Sequence, residues 1–128
     1  MASFLHTMVR ITDPERSRKF YEALGFRFER DMDIVRNGET EATNYFFGIG
    51  DQESVLELTY NHDGRSYDLG TGYGHIALAV DDLDESLKQL AGQGIEPGAK
   101  ALRKRHGIEG RGRLPDHSRM DRIAREKD

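Results

Sequence analysis

Alternating apolar and polar positions predict strands at several places in this chain of 128 residues, and one of them organises the rest. In residues 73–82, the large apolar side chains at positions 76, 78 and 80 fall on one side of an extended chain, and His75 falls on the other with two alanines. Asp82 then stands where a helix N-cap is expected, before apolar positions at helical spacing. The pattern predicts a strand, a cap and a helix, with a histidine at the start of the strand.

The same unit occurs earlier, in residues 4–11 and in the helical pattern that opens at Asp13 and Pro14. A shift of 69 positions superimposes the two copies without a gap, and the hydrophobic phases agree. The identical pairs are His6 with His75, Asp13 with Asp82, Ser17 with Ser86, Lys19 with Lys88, and Gly25 with Gly94. The spacing predicts two copies of one supersecondary unit.

Further alternation predicts three strands between the two copies, and Asn37 with Gly38 predicts a hairpin turn inside the polar residues 31–42. These strands are expected at residues 26–30, 44–50 and 54–61. The sequence therefore predicts an α+β fold of paired βαβββ modules with mixed sheets, in a single domain over residues 1–128. The first module takes residues 4–61 and the second residues 73–128.

The second module loses its pattern after about residue 100. Residues 101–128 show no alternation, and they carry nine basic and five acidic side chains, a net charge of +4. This composition predicts an atypical, poorly packed tail in place of the strands that would close the module.

Composition narrows the class of protein. The chain has no cysteine, which excludes disulfides and thiolate metal sites and indicates a reducing cytoplasm. No apolar run has membrane-spanning length, and no signal-peptide core is visible, so we expect no membrane partner. The net charge of −4 gives no reason to expect nucleic acid binding.

Three residues suggest a metal centre. His6 and His75 begin equivalent strands, and Glu57 lies on a strand of the first module, opposite its apolar face. Two imidazoles and a carboxylate suit a divalent ion such as zinc, nickel, cobalt or manganese. Each residue taken alone is more often structural or solvated, but the duplicated histidines call for a joint explanation.

Arg10 comes four residues after His6, and Asn61 comes four residues after Glu57. In each strand the later residue therefore lies on the same face as the earlier one, roughly 13 Å further along. A guanidinium and an amide at that distance would suit a substrate with a carboxylate held away from the metal. The alternative is structural: Arg10 pairs with a surface acid, and Asn61 belongs to a turn.

Together these residues resemble glyoxalase I (lactoylglutathione lyase) of the vicinal oxygen chelate superfamily, over about residues 4–98. The resemblance rests on several motifs in the right order, which are residues 6–11, 16–17, 20–21, 24–26, 56–61 and 70–77. It implies paired modules in a cupped sheet. It also implies isomerisation of the methylglyoxal–glutathione hemithioacetal to S-lactoylglutathione.

The resemblance also implies the site: His6, Glu57 and His75 match the metal ligands, and Arg10 and Asn61 match contacts to glutathione. The reaction needs a base that removes a proton from the carbon beside a carbonyl, and a carboxylate at the metal, such as Glu57, can serve as that base. The compact spacing is similar to that of bacterial members, which prefer nickel or cobalt to zinc. It implies a homodimer with sites at the subunit interface.

The tail departs from the family, which closes the second module with a strand bearing a second ligand Glu. Glu126 is the best candidate for that ligand, because a shift of 69 positions pairs it with Glu57, although no strand pattern surrounds it. Residues 112–116 are what an Asp-Gly-Tyr-Arg-Ile segment can encode one frame off, which suggests a frameshift near residue 100. We therefore expect turnover slower than that of a full family member. The alternative function is a non-catalytic protein of the same superfamily that binds a metal or a thiol conjugate.

Overall fold

The computed structural model describes residues 1–71 and 75–96. The chain divides into two compact units, Met1–Tyr67 and Asp68–Asp128. The described elements are β1 (Thr7–Ile11), α1 (Pro14–Ala23), β2 (Arg27–Arg36), β3 (Glu39–Ile49), β4 (Gln52–Asn61) and α2 (Leu83–Gly92). The first five make the predicted β-α-β-β-β order of the first unit.

The strands of the first unit form a mixed sheet in the order β1-β4-β3-β2. β1 runs parallel to β4, and the other pairs are antiparallel. Asn37 and Gly38 join β2 to β3 with φ angles of 53° and 77°, so the predicted hairpin turn is confirmed. The strands on either side extend through the polar residues 31–42, where the sequence pattern predicts only the turn. Ladder hydrogen bonds come from the backbone, so a polar edge strand forms without an apolar pattern.

One face of the sheet makes the core with α1. Phe47, Leu56 and Leu58 are fully buried there, and Phe20 and Tyr21 of the helix are also buried. The alternation predicted for β4 is confirmed, because Leu56 and Leu58 face the core while Glu57 between them does not. The opposite side of the sheet is called the Glu57 face below.

The two copies of the helical unit have the same capping interactions at both ends. Asp13 and Asp82 each accept a hydrogen bond from the backbone three residues on, at 3.1 Å and 3.0 Å, which are N-caps. At the other ends Gly25 and Gly94 have positive φ angles of 106° and 79°, which close the helices in the left-handed conformation that favours glycine. The 69-residue shift pairs Asp13 with Asp82 and Gly25 with Gly94, and the structure gives both members of each pair the same role.

The first element of the second unit shows the burial pattern that the sequence predicts. Positions 76, 78 and 80 are half-buried while 75, 77 and 79 are exposed, as the alternation predicts. Within the described residues no strand is assigned at 75–80, and its pairing stays a prediction. The predicted later strands of the second module, the tail at 101–128 and Glu126 lie outside the described residues. No helix in residues 1–71 or 75–96 is long and apolar enough to cross a membrane.

Candidate active site

His6 and Glu57 are in direct contact on the Glu57 face. Glu57 lies opposite Met8 in the parallel ladder of β1 and β4, and His6 comes two residues before Met8, on the same side of the chain. His6 Nε2 lies 2.8 Å from Glu57 Oε2, and the two side chains are 40% and 13% exposed. The strand pairing thus joins an accessible imidazole to a largely buried carboxylate.

The Phe46 side chain packs beside the His6–Glu57 pair. It is buried, and β3 places it directly opposite Glu57. Its ring meets the His6 ring edge-on, with centroids 6.4 Å apart, and the Arg30 guanidinium lies 3.9 Å from its centroid. The sequence pattern does not identify Phe46 and Arg30, because the face they share with Glu57 depends on the register of β2, β3 and β4.

Polar groups occupy the other end of the same face. Arg10 is exposed and lies opposite Thr59, and Asn61 is the next residue of β4 on this face. The Asn61 Nδ2 donates a hydrogen bond to the Tyr67 hydroxyl at 2.6 Å. Arg10 and Asn61 therefore lie on one face with the His6–Glu57 pair, as predicted, and Tyr67 is an addition that the sequence analysis did not identify.

His75 belongs to the second unit and is exposed there. Within the described residues of one chain, no three His, Asp or Glu side chains converge closely enough to hold a metal ion. The structure thus brings together two of the three predicted ligands. The convergence of all three, within one chain or across two, stays a prediction.

The His6–Glu57 pair fits a divalent transition metal. Each ligand atom lies about 2 Å from its ion, so two ligands of one ion lie roughly 3 Å apart. The 2.8 Å separation of Nε2 and Oε2 is close to that spacing. An imidazole nitrogen and a carboxylate oxygen are a donor set that zinc, nickel, cobalt and manganese accept.

A family model described as the Glyoxalase/Bleomycin resistance protein/Dioxygenase superfamily matches residues 3–115. The chain belongs to this superfamily. The matched range extends beyond residue 98, where the resemblance of the sequence motifs ends, and into the stretch predicted to be atypical. Membership confirms the family identified from the motifs.

Three relatives of the chain carry the name lactoylglutathione lyase, two of them as probable. The chain is 42% identical over 106 residues to a lactoylglutathione lyase of Neisseria meningitidis, covering 80% of this chain and 75% of that protein. It is 49% identical over 82 residues to a probable lactoylglutathione lyase of Vibrio parahaemolyticus, covering 62% and 57%. A probable chloroplastic lactoylglutathione lyase of Arabidopsis thaliana is 41% identical over 93 residues, 70% of this chain and 26% of the plant protein. The chain thus spans about a quarter of the plant relative and little more than half of the Vibrio one.

Solved structures confirm the α+β glyoxalase fold. The trypanothione-dependent glyoxalase I of Leishmania major superimposes with a TM-score of 0.68 at 29% identity, over 98% of this chain and 95% of that one. Glyoxalase I from Zea mays superimposes with a TM-score of 0.63 at 35% identity, over 76% of this chain and 36% of that one.

Proposed function

We propose that this protein is a cytoplasmic lactoylglutathione lyase, which isomerises the hemithioacetal of methylglyoxal and glutathione to S-lactoylglutathione. The observation that carries the proposal is the 2.8 Å contact between His6 and Glu57 on a face with an arginine and an asparagine further along. The relatives' names support this activity over the alternative of a non-catalytic binding protein. Methylglyoxal detoxification follows from the reaction.

His6, Glu57 and His75 would hold a divalent metal, which we propose to be nickel or cobalt in preference to zinc. When bound, such an ion stabilises the oxyanion that develops on the substrate. Glu57 is the base: its carboxylate takes the proton from the carbon beside the carbonyl, and the proton returns to the neighbouring carbon. No oxidant or reductant is consumed, because one C–H bond breaks and another forms, while the hydroxyl proton of the hemithioacetal passes to the former carbonyl oxygen.

The rest of the Glu57 face positions the substrate. Buried Phe46 covers one side of the His6–Glu57 pair and limits the access of water there. Arg10 and Asn61 would bind the glutathione end remote from the sulfur. A tripeptide spans about 10 Å when extended, close to the roughly 13 Å that separate the two ends of the face along the strands.

The activity is tested by following S-lactoylglutathione formation with metal-free protein and with added nickel, cobalt or zinc. We expect metal-dependent turnover, and Glu57→Gln should lower it about 10²- to 10⁴-fold through loss of the base. Glu53→Gln is the matched control, because Glu53 is an exposed glutamate of the same strand. Tight binding of a glutathione conjugate without turnover would support the binding protein instead.

We also propose a homodimer whose sites draw His6 and Glu57 from one subunit and His75 from the other. Chains carrying Glu57→Gln and chains carrying His75→Ala should each be inactive alone. Random pairing of an equal mixture would leave about a quarter of the sites intact if sites are shared between the subunits of a symmetric dimer. A refolded mixture that stays inactive would place the three ligands within one chain.

The turnover rate that we expect depends on residues 101–128. If they lack the second ligand Glu, the chain should turn over more slowly than a version whose tail is replaced by a family-type strand carrying Glu. Equal turnover of the two would contradict this and would favour Glu126 as the fourth ligand.

A further inference from the structure

Arg30 is a cation on the Glu57 face that has no acidic partner within residues 1–71 and 75–96. It is exposed, and none of the carboxylates in those residues lies within ion-pair distance of it. Other arginines of the same part of the chain are paired, which are Arg18 with Glu22, Arg27 with Glu29, Arg36 with Glu41, and Arg65 with Asp63. The Arg30 guanidinium is therefore available to an anion that binds at this face.

Two strand spacings separate Arg30 from Glu57. β3 places Phe46 directly opposite Glu57, and β2 places Arg30 directly opposite Phe46. Neighbouring strands lie about 4.8 Å apart, so the backbones of Glu57 and Arg30 are roughly 10 Å from each other. The Arg30 side chain shortens this gap, because its guanidinium carbon lies 3.9 Å from the centroid of the Phe46 ring. The cation is thus about one strand spacing from the side chain of the proposed base.

The Phe46 ring holds the guanidinium in place and is covered by it. Phe46 is only 6% exposed. Stacking on an aromatic ring leaves the N–H groups at the edge of a guanidinium free to donate. A substrate group that extends past the His6–Glu57 pair on this side therefore meets the Arg30 cation before it meets the ring. A carboxylate gains charge-assisted hydrogen bonds there, whereas a methyl group gains nothing comparable.

The part of the substrate that points to Arg30 is the substituent on its carbonyl carbon. Glutathione extends along the strands towards Arg10, so the substituent is left to extend across the strands. Three carbon–carbon bonds span about 4 Å, and a charge-assisted hydrogen bond adds about 2.8 Å. A carboxylate that is two methylene groups beyond the carbonyl is therefore long enough to cross one strand spacing and reach the guanidinium.

We propose that Arg30 is a specificity-determining residue, which makes 2-oxoaldehydes with a terminal carboxylate on their substituent good substrates of this site. A compound of suitable length is 4,5-dioxopentanoate, whose hemithioacetal with glutathione would become the thioester of 2-hydroxyglutarate. One C–H bond breaks and the neighbouring carbon gains one, the hydroxyl proton passes to the former carbonyl oxygen, and the carboxylate is unchanged. This inference rests on the proposed function, and it adds a class of substrate and the residue that selects it.

Two inert probes isolate the terminal group, which are S-(4-carboxybutyl)glutathione and the amide of its terminal carboxylate. In calorimetric titrations of the nickel-loaded protein, the parent chain should bind the carboxylate about tenfold more tightly, the worth of one hydrogen bond to a charged group. Arg30→Gln should remove most of this preference, and Arg30→Lys should retain part of it, because lysine keeps the charge without the planar fork. Arg36→Gln is the matched control, on an exposed arginine at the other end of the same strand, and should keep the parent preference.

Steady-state kinetics provide a second readout. The hemithioacetals of 4,5-dioxopentanoate and methylglyoxal are compared in the parent chain and in Arg30→Gln. The substitution should lower kcat/KM for the carboxylate substrate about tenfold relative to kcat/KM for methylglyoxal. The difference should lie mainly in KM, because the remote carboxylate is bound equally before and during proton transfer.

If Arg30 only supported the fold, Arg30→Gln would change both probes and both substrates by the same factor, and that result would overturn the inference. A parent chain that binds the two probes equally would overturn it as well. An Arg30-dependent preference for the carboxylate probe, in a chain that isomerises neither hemithioacetal, would support the selectivity and refute the proposed lyase activity. Turnover of the methylglyoxal hemithioacetal without an Arg30-dependent preference would support the activity and refute the selectivity.

Discussion

Replacing Glu29 with alanine should loosen the hairpin that carries Glu57. The Glu29 carboxylate accepts hydrogen bonds from the Ser54 backbone N–H at 3.0 Å and from the Ser54 hydroxyl at 2.8 Å. Ser54 has a φ of 51°, in the left-handed region that is unfavourable for a residue with a side chain. Glu29 therefore holds a strained residue that lies three positions before Glu57 in β4.

The size of the effect follows from these two bonds. A hydrogen bond to a charged group contributes about 1.5–3 kcal/mol, and water can replace part of it because the Glu29 side chain is 20% exposed. We expect Glu29→Ala to lower the free energy of unfolding by about 2–3 kcal/mol. Glu29→Gln keeps one acceptor oxygen and should cost about 1 kcal/mol.

Urea unfolding followed by circular dichroism at one fixed protein concentration measures the change. With an m-value of about 1–3 kcal/mol/M, Glu29→Ala should lower the midpoint by roughly 0.7–3 M. Glu53→Ala is the matched control on an exposed glutamate and should stay within about 0.5 kcal/mol of the parent. Equal midpoints for Glu29→Ala and Glu53→Ala would refute the role assigned to the carboxylate.

Two other changes probe the same sheet. Gly48→Ala should destabilise the fold by about 1–3 kcal/mol in thermal or urea unfolding, because a Cβ there would lie 2.7 Å from the Gln52 backbone oxygen and would also meet the Glu29 carboxylate. A Gly48→Ala chain as stable as the parent would contradict this, because it would show that the hairpin accommodates the added methyl group without loss of stability. Burial, with the charges of Asp31 and Asp33, raises the pKa of Tyr45 above its usual value of about 10, so its phenolate absorbance should appear at higher pH than that of an exposed tyrosine. Because this pKa is higher in the folded than in the unfolded chain, the stability it contributes is present below about pH 10 and is lost as pH rises through the folded value. Asp31→Asn should lower the titration midpoint of Tyr45, and an unchanged midpoint would contradict the electrostatic part of this explanation.

The sequence pattern predicted those features that depend on local chemistry. The caps at Asp13 and Asp82 and the turn at Asn37 follow from short-range preferences. The face of Glu57 follows from alternation within a single strand.

Features that depend on pairing between strands could not be predicted in the same way. Phe46 and Arg30 reach the His6–Glu57 pair only because of the register of three strands, with an irregularity between Phe28 and Arg30. Tyr67 meets Asn61 through the path of a connecting segment that has no periodic pattern.

We propose that His6 and Glu57 hold a metal on which turnover depends, and a nickel titration of the metal-free protein tests this most directly. Bound nickel and S-lactoylglutathione formation should rise together and saturate at one ion per chain. Glu57→Gln and His6→Ala should each weaken metal binding by more than about tenfold, since even changes around metal ligands cost about 10- to 100-fold in affinity. Glu53→Gln should titrate like the parent. A Glu57→Gln chain that binds nickel and turns over substrate as Glu53→Gln does would contradict the assignment of the site.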